Sequence, residues 1–335
     1  MERIAPFVLR RPATLAAAAA LLAATPGARP LAGGTGLMPD LRDGIGAPPV
    51  LVDLAGIAAL SVIAADRDGM TIGAGVTLAR IATDGAIAGA FPALAAAAAL
   101  VAGPGHRTVA TLGGNLCLDT RCVFYNQSEW WRRANDFCLK HGGDICHVAP
   151  QGKRCHAAFA GDLAPVLLVL AAEVEIVGPD RARRIPLADL HVEDGAQHLS
   201  LAPGEIVAAV RIPLQPAAAR SGYRKARARG AIDFPLAGVA ARVVLDDGRL
   251  ASLRVALTGT NARPFLLDGA DALAGQPLSE ETLAQLGKLV HKQVSPMRTA
   301  VTSSNYRRKV ATVLAQRLVR ELAAAPGTGS RGATG

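Results

Sequence analysis

The sequence predicts an α+β fold in two domains, and three observations carry that prediction. At 335 residues the chain exceeds one average domain, and half of it is hydrophobic, so it can bury more than one core. Up to about residue 120, and again over 163–213, short β-type runs alternate with Ala-rich helical runs. Beyond residue 221 the pattern becomes a strand pair followed by two amphipathic helices. Aromatics make up only 4% while Ala and Gly abound, so these cores must pack small and aliphatic side chains with close backbone approach.

Residues 12–24 read as a surface helix, with Pro12 near the first turn, where its missing N–H is not needed. Arg10 and Arg11 ahead of an uncharged stretch resemble a twin-arginine export signal, but Ala adds little apolar transfer energy and Pro26-Gly27 stops the segment. Gly33-Gly34-Thr35-Gly36 follows, then a helical or irregular segment and the strand-like run 50–54. A β-run at 71–76 and a helix at 92–101 lead to a second glycine-rich stretch ending in Thr111-Leu112-Gly113-Gly114-Asn115. Cys117, in an apolar strand-like run just beyond, reads as a small core residue. No stretch approaches the roughly 20 apolar residues of a membrane span, so a cytoplasmic protein is expected.

Residues 121–159 differ in kind: they hold both tryptophans, half of the aromatic residues and four of the five cysteines, and so read as an insertion. Ordinary patterning resumes at 163–170, 174–177 and 206–213, and the Ala-rich 215–221 looks like a linker. The runs 239–245 and 250–257 flank Asp246-Asp247-Gly248-Arg249, a hairpin signal whose residues tolerate positive φ. Helices follow at 279–293, with Leu283, Leu286 and Val290 on one face, and at 304–322, with Val310, Val313, Leu314 and Leu318 on one face. The Gly/Ser/Thr stretch 326–335 has the composition of a disordered tail. The expected division is therefore a first domain at 1–214 carrying the insert, a second at 217–325, and the tail.

A net charge of +9 raises the question of nucleic acid, but Lys and Arg are scattered and nowhere form a dense run with interleaved aromatics. Solvated surface charge is the favoured reading, with an acidic redox partner or sister subunit as the other. The cysteines are more specific. Cys122, Cys138, Cys146 and Cys155 are separated by 15, 7 and 8 residues. Soft thiolates select zinc or iron–sulfur clusters, and a four-iron cube takes one cysteine per iron. The lack of paired C-x2-C knuckles counts against structural zinc without removing it. The same four residues would also suit buried free thiols, or two disulfides in an exported protein.

Glycine lets backbone N–H groups crowd around an anion such as a pyrophosphate, and Thr35 adds a hydroxyl donor. Either glycine loop alone is usually just a turn. Two in one domain, neither in the G-x-G-x-x-G form, point to a dinucleotide cofactor on a non-Rossmann fold.

These motifs resemble a known family. Ala32-Gly33-Gly34-Thr35, Thr111-Leu112-Gly113-Gly114-Asn115 and Gly161-Asp162-Leu163-Ala164-Pro165 are similar, in that order, to the flavoproteins of xanthine dehydrogenase and carbon monoxide dehydrogenase. Leu201-Ala202-Pro203-Gly204-Glu205-Ile206, Arg211-Ile212-Pro213-Leu214, Tyr223-Arg224-Lys225 and Tyr306-Arg307-Arg308 extend the resemblance nearly end to end. It implies the two-domain FAD-binding fold of the molybdenum hydroxylase flavoproteins, of the PCMH type, with an α+β C-terminal domain like that of the CO dehydrogenase flavoprotein. Within that family, Cys122-Val123-Phe124-Tyr125-Asn126-Gln127-Ser128-Glu129 and the three later cysteines resemble the insert of the β subunit of 4-hydroxybenzoyl-CoA reductase. The resemblance implies a [4Fe-4S] cluster on Cys122, Cys138, Cys146 and Cys155.

It further implies FAD, with Ala32, Gly33, Gly34, Thr35 and Gly36 around the pyrophosphate and Thr111, Gly114 and Asn115 as the second phosphate and ribityl-side loop. Asp162 is expected on ribityl or ribose hydroxyls and Lys225 near the isoalloxazine, where a cation favours the anionic reduced flavin. The family usually has an acid after Gly-Gly-Thr; this chain has Gly36, with Asp40 the neighbouring acid that would compensate. No catalytic residue is implied here. Molybdopterin and substrate would sit on a large partner subunit and [2Fe-2S] clusters on a small one, in a dimer of heterotrimers, with ferredoxin supplying electrons for reductive dehydroxylation to benzoyl-CoA. Two rival readings are the flavin subunit of an oxidising molybdenum hydroxylase, xanthine or CO dehydrogenase-like, and a zinc-stapled non-catalytic interaction module.

Overall fold

Three sheets and the helices between them make up residues 4–325, the part of the chain that the computed structural model describes; the tail expected at 326–335 lies outside the described residues. Val8–Arg10 (β1), Arg29–Leu31 (β2) and Val50–Asp53 (β3) form a parallel sheet in the order β1-β3-β2. Parallel neighbours need a crossover, and the helix Leu15–Ala24 between β1 and β2 supplies it, begun by the Thr14 hydroxyl accepting from the Ala17 amide. This is the expected surface helix, with only Ala18 and Ala19 fully covered.

Ile63–Asp66 (β4), Gly69–Gly73 (β5), Glu173–Val177 (β6), Ala182–Pro186 (β7) and Ile206–Pro213 (β8) form an antiparallel sheet in the order β4-β5-β8-β6-β7. Its core continues into the helices Leu78–Thr83, Pro92–Ala99 and Leu163–Val169, where Leu78, Leu94 and Leu167 are wholly buried. Every residue of Leu163–Val169 is buried, which explains its uninterrupted apolar sequence.

Ala219–Ala226 (β9), Ala237–Asp246 (β10), Arg249–Thr258 (β11) and Phe265–Leu266 (β12) form the third sheet, antiparallel in the order β12-β11-β10-β9. Asp247 and Gly248 turn β10 into β11 with φ of 45° and 74°, as the hairpin signal requires. The helices Glu280–Gln293 and Ser304–Ala324 share a second core with this sheet, through Leu286, Val290 and Leu318.

Two expectations need correction. The segment 215–221 is not all linker, because β9 already begins at Ala219. Its second half is held by the last helix, where Arg220 donates to the Leu322 and Ala323 carbonyls at 3.0 and 2.9 Å; at the next glycine, Gly222, a Cβ would lie 2.9 Å from a Leu318 methyl. Leu112–Leu116 is a short helix rather than a loop running into a strand, and Cys117 is its C-cap. Thr111 decides this, since its hydroxyl accepts the Gly114 amide at 3.1 Å and caps the turn.

Candidate functional site

The first glycine segment leaves β2 and enters the helix Leu37–Arg42. A Cβ on Gly33 would overlap the Val109 carbonyl, and Gly34 holds a φ of 70°, so both positions demand glycine. Among the described residues the amides of Gly33, Gly34 and Thr35 donate to no protein group. The first segment is thereby laid against the residues entering Thr111. Beyond Thr111, the Asn115 side chain accepts the Leu163 amide at 3.1 Å and caps the buried helix.

That cap releases Asp162 from capping. One of its carboxylate oxygens accepts the Tyr223 hydroxyl at 2.6 Å and the other the Lys225 ammonium at 3.1 Å. Asp162 and Lys225 have side chains only 4% and 1% exposed, so this is a buried ion pair between the two sheets' domains. Burial pushes the Asp162 carboxyl up, with Lys225 and Tyr223 opposing the shift. Burial, followed by the Asp162 charge, raises the Tyr223 phenol well above its ordinary range. A continuous chain of contacts thus runs from Gly33 through Val109, Thr111, Asn115 and Asp162 to Lys225. Unbonded amides, glycine-cleared backbone and a polar terminus at the domain boundary fit an extended ligand with a phosphate at one end and hydroxyl or ring groups at the other.

Asp40, the acid nearest Gly36 in the chain, is already engaged elsewhere. It is buried and its carboxylate pairs with Arg121, tying the helix Leu37–Arg42 to the start of the insert.

Arg121 and Ala158 close the base of that insert with two backbone hydrogen bonds, of 3.0 and 2.9 Å. Between them the helix Glu129–Ala134 starts on the Ser128 hydroxyl, and Asp136 and Phe137, with φ of 56° and 57°, swing the chain back to Cys138. As a result Cys122, Cys138, Cys146 and Cys155 line one small, closely packed cavity, walled also by Tyr125 and Lys140. All four are free thiols, so they are not paired as disulfides. Two already accept backbone amides, Cys122 from Tyr125 at 3.3 Å and Cys155 from Ala157 at 3.4 Å.

Burial raises the Cys122 thiol, and the charges of Cys138 and Cys146 add to the shift. Burial likewise pushes Cys155 up to about 11, with Lys140 opposing and Cys146 and Cys122 adding. The thiols therefore feel one another across the cavity. Cys117 stands apart, partly buried against the first domain's core, and burial alone pushes its thiol up to about 12.

Among the described residues no group of three or more His, Cys, Asp and Glu is placed to hold a metal ion. Four thiolates on one zinc at about 2.3 Å would stand roughly 4 Å apart. A four-iron cube with one thiolate per iron holds them farther apart, at the corners of a larger body. The four thiols share a cavity without meeting at one point, so as they stand they form no tetrahedral single-ion site. Sequence reasoning missed Lys140, which lines this cavity, its partner Asp119 and the buried Arg132 beside Tyr125; no spacing announces them, because their partners come from segments apart in the chain.

Comparison with known proteins places both halves of the chain. Residues 5–215 match the family model of the FAD binding domain in molybdopterin dehydrogenase, and residues 221–322 that of the CO dehydrogenase flavoprotein C-terminal domain. The xanthine dehydrogenase FAD-binding subunit of Escherichia coli O157:H7 is 30% identical over 320 residues, covering 95% of this chain and 96% of that one. The aldehyde oxidoreductase FAD-binding subunit of Escherichia coli K12 is 33% identical over 279 residues, covering 81% and 86%. Among solved structures, reconstituted CO dehydrogenase from Oligotropha carboxidovorans superposes with a TM-score of 0.80 at 25% identity, covering 97% of this chain and all of that one.

Proposed function

Because this chain belongs to the family of FAD-binding subunits of xanthine- and CO-dehydrogenase-type molybdenum hydroxylases, we propose that it is the electron-relay subunit of such a complex and carries a second redox centre in its insert. Residues 32–36, Thr111, Gly114 and Asn115 hold the phosphate and ribityl parts of FAD. Asp162 and Lys225 hold its ring end, the carboxylate fixing the ammonium in place. Cys122, Cys138, Cys146 and Cys155 hold a [4Fe-4S] centre. Flavin accepts electrons singly or in pairs, and an iron–sulfur centre takes them one at a time. Cys155 and Asp162 are seven residues apart, so their Cα atoms lie within about 25 Å even on a fully extended chain. The observation that carries the reading is the gathering of four thiols on one cavity at the neck of an insert that leaves and rejoins the flavin loops.

The substrate chemistry then belongs to partners: a large molybdopterin subunit and a small [2Fe-2S] subunit. Two directions of flow are open. The relatives named for xanthine dehydrogenase and aldehyde oxidoreductase favour electrons leaving an oxidised substrate through the flavin. The insert favours the reverse, with ferredoxin as donor and reductive dehydroxylation of 4-hydroxybenzoyl-CoA. Copurification with the partners, followed by assay with a reduced low-potential donor and 4-hydroxybenzoyl-CoA, separates them. Benzoyl-CoA as product supports the reductive reading; turnover only with an oxidisable purine or aldehyde and a dye acceptor removes it. Gly33→Ala tests the flavin cradle. Its Cβ must displace the Val109 carbonyl, and overpacking of about 1–3 kcal/mol predicts FAD binding roughly tenfold to a hundredfold weaker with iron unchanged. Full FAD retention in that variant would remove residues 32–36 from the site.

A further inference from the structure

Among the described residues Arg132 is the largest fully buried side chain, with no exposed surface. Its guanidinium donates to the carbonyls of Tyr125 at 2.9 Å, Gln127 at 2.7 Å and Gly44 at 3.2 Å, and its Nε has no partner. Among the described residues no carboxylate stands within ion-pair distance of it. A wholly buried charge without a counter-charge is costly enough that proteins rarely keep one. Three carbonyls and the Tyr125 ring solvate the guanidinium, but no opposite charge among the described residues neutralises it.

The neighbourhood shows where an opposite charge would lie. Arg132 lies 5.6 Å from the centre of the Tyr125 ring, and Tyr125 walls the thiol cavity. From another side Lys140 lies 4.7 Å over the same ring and itself lines the cavity. Its ammonium, only 5% exposed, is clamped by Asp119 at 2.8 Å and by the carbonyl and hydroxyl of Thr120 at 2.7 and 2.5 Å. Asp119 is not part of the cavity wall, so the Lys140–Asp119 pair turns its positive end toward the thiols.

We propose that Arg132 and Lys140 are the counter-charges of the iron–sulfur centre held by the four thiols, and that they raise its reduction potential. This rests on the four-cysteine reading above. One electron from the flavin or from an external one-electron donor adds a negative charge to a body already made anionic by four thiolates. Fixed cations beside it stabilise the reduced form more than the oxidised one, and net charge is among the levers that set such potentials. Both residues act through the field they impose, so they are positioning residues rather than catalytic ones.

The test is a redox titration of the purified full chain, followed by electron paramagnetic resonance of the reduced centre, with iron and FAD counted in each sample. Arg132→Met and Lys140→Met are expected to titrate at lower potential by about tenfold in the one-electron equilibrium, about 59 mV, while Arg132→Lys and Lys140→Arg stay near the parent. Lys140→Met should shift less, because Asp119 already offsets part of that charge. Met variants that hold four irons and titrate with the parent overturn the proposal. If the Met variants lose iron while the charge-conserving variants keep it, charge is what the site requires and the proposal stands. Loss of iron from all four variants shows that shape alone matters and overturns it. A parent chain without iron removes the four-cysteine reading itself, and this inference with it.

Discussion

The first domain and its insert are organised on different physical terms. In the domain, Ile72, Leu94, Leu112 and Leu167 are wholly buried in one continuous aliphatic core shared by sheet and helices. The insert's own apolar cluster is small, Phe124, Tyr125 and Cys138 against Ile45 from outside it; Phe159 at its end joins the domain's core, and Trp130 and Ile145 are left 73% and 51% exposed. Much of what else the insert buries is polar: three thiols, the Arg132 guanidinium and the Lys140 ammonium. A segment of about 40 residues with so little apolar burial cannot order itself by hydrophobic packing alone. On the proposed reading the four-thiol centre organises it, as metal does in small metal-dependent modules, so that binding and folding of the insert are one equilibrium.

The sharpest way to break that contrast is Cys138→Ser. Iron is expected to fall from about four per chain toward none, with loss of the broad brown absorbance. The insert should become the first site of proteolysis, while FAD content and the main thermal transition stay in place. Iron persisting at four per chain would dismiss Cys138 as a ligand, and collapse of the whole chain would show the insert and the domain to be one folding unit.

Leu167→Ala is the mirror experiment. Leu167 is wholly buried in the helix Leu163–Val169, and truncation of such a residue costs about 2–5 kcal/mol. The main transition should drop, with the loss visible in both FAD retention and chemical denaturation. A change confined to the insert would contradict the separation of the two regions.

The contrast was only half legible in the sequence, for physical reasons. Local signals were read correctly: the Asp247-Gly248 turn, the two last helices with their apolar faces, and the clustering of cysteines in 121–159 each depend on neighbours in the chain. The signals that failed depend on distant ones. Residues 219–221 looked like linker because what holds β9 there is the final helix, about 100 residues away. Gly113 and Gly114 looked like loop because helix propensity disfavours them, but Thr111 caps the turn and Gly113 packs against Ala74. Lys140 and Arg132 read as solvated charge, since nothing local reveals that Asp119 and the Gly44 carbonyl will enclose them.

His191 and His198 lie where the two regions meet, packed on Phe159, which follows the last cysteine. Burial pushes both imidazoles down to about 4; in His198 the neighbouring Asp119 opposes the shift. A group whose pKa is depressed on folding contributes stability above its unfolded value and loses it as pH falls through the folded one. Between pH 6.5 and 4 the unfolded chain binds more protons, so stability should fall across that window, by on the order of 3 kcal/mol for His191. Urea denaturation at stepped pH checks this, and His191→Gln should flatten part of that limb. An unchanged slope in the variant would assign the acid sensitivity elsewhere.

The smallest effect separates the insert's own helix from its centre. Ser128 accepts the Trp131 amide at 3.3 Å and begins the helix Glu129–Ala134, which carries Arg132. Removing such a cap costs about 1 kcal/mol, a loss the domain's core should not register. Ser128→Ala is therefore expected to leave the main transition and FAD content unchanged, and to speed exchange of the Trp131 and Arg132 amides by about fivefold. If the bound centre holds the insert, that acceleration should be larger in iron-free protein than in loaded protein. Equal exchange in the two forms would mean that the helix is fixed by its own contacts and that the insert needs no centre to be ordered.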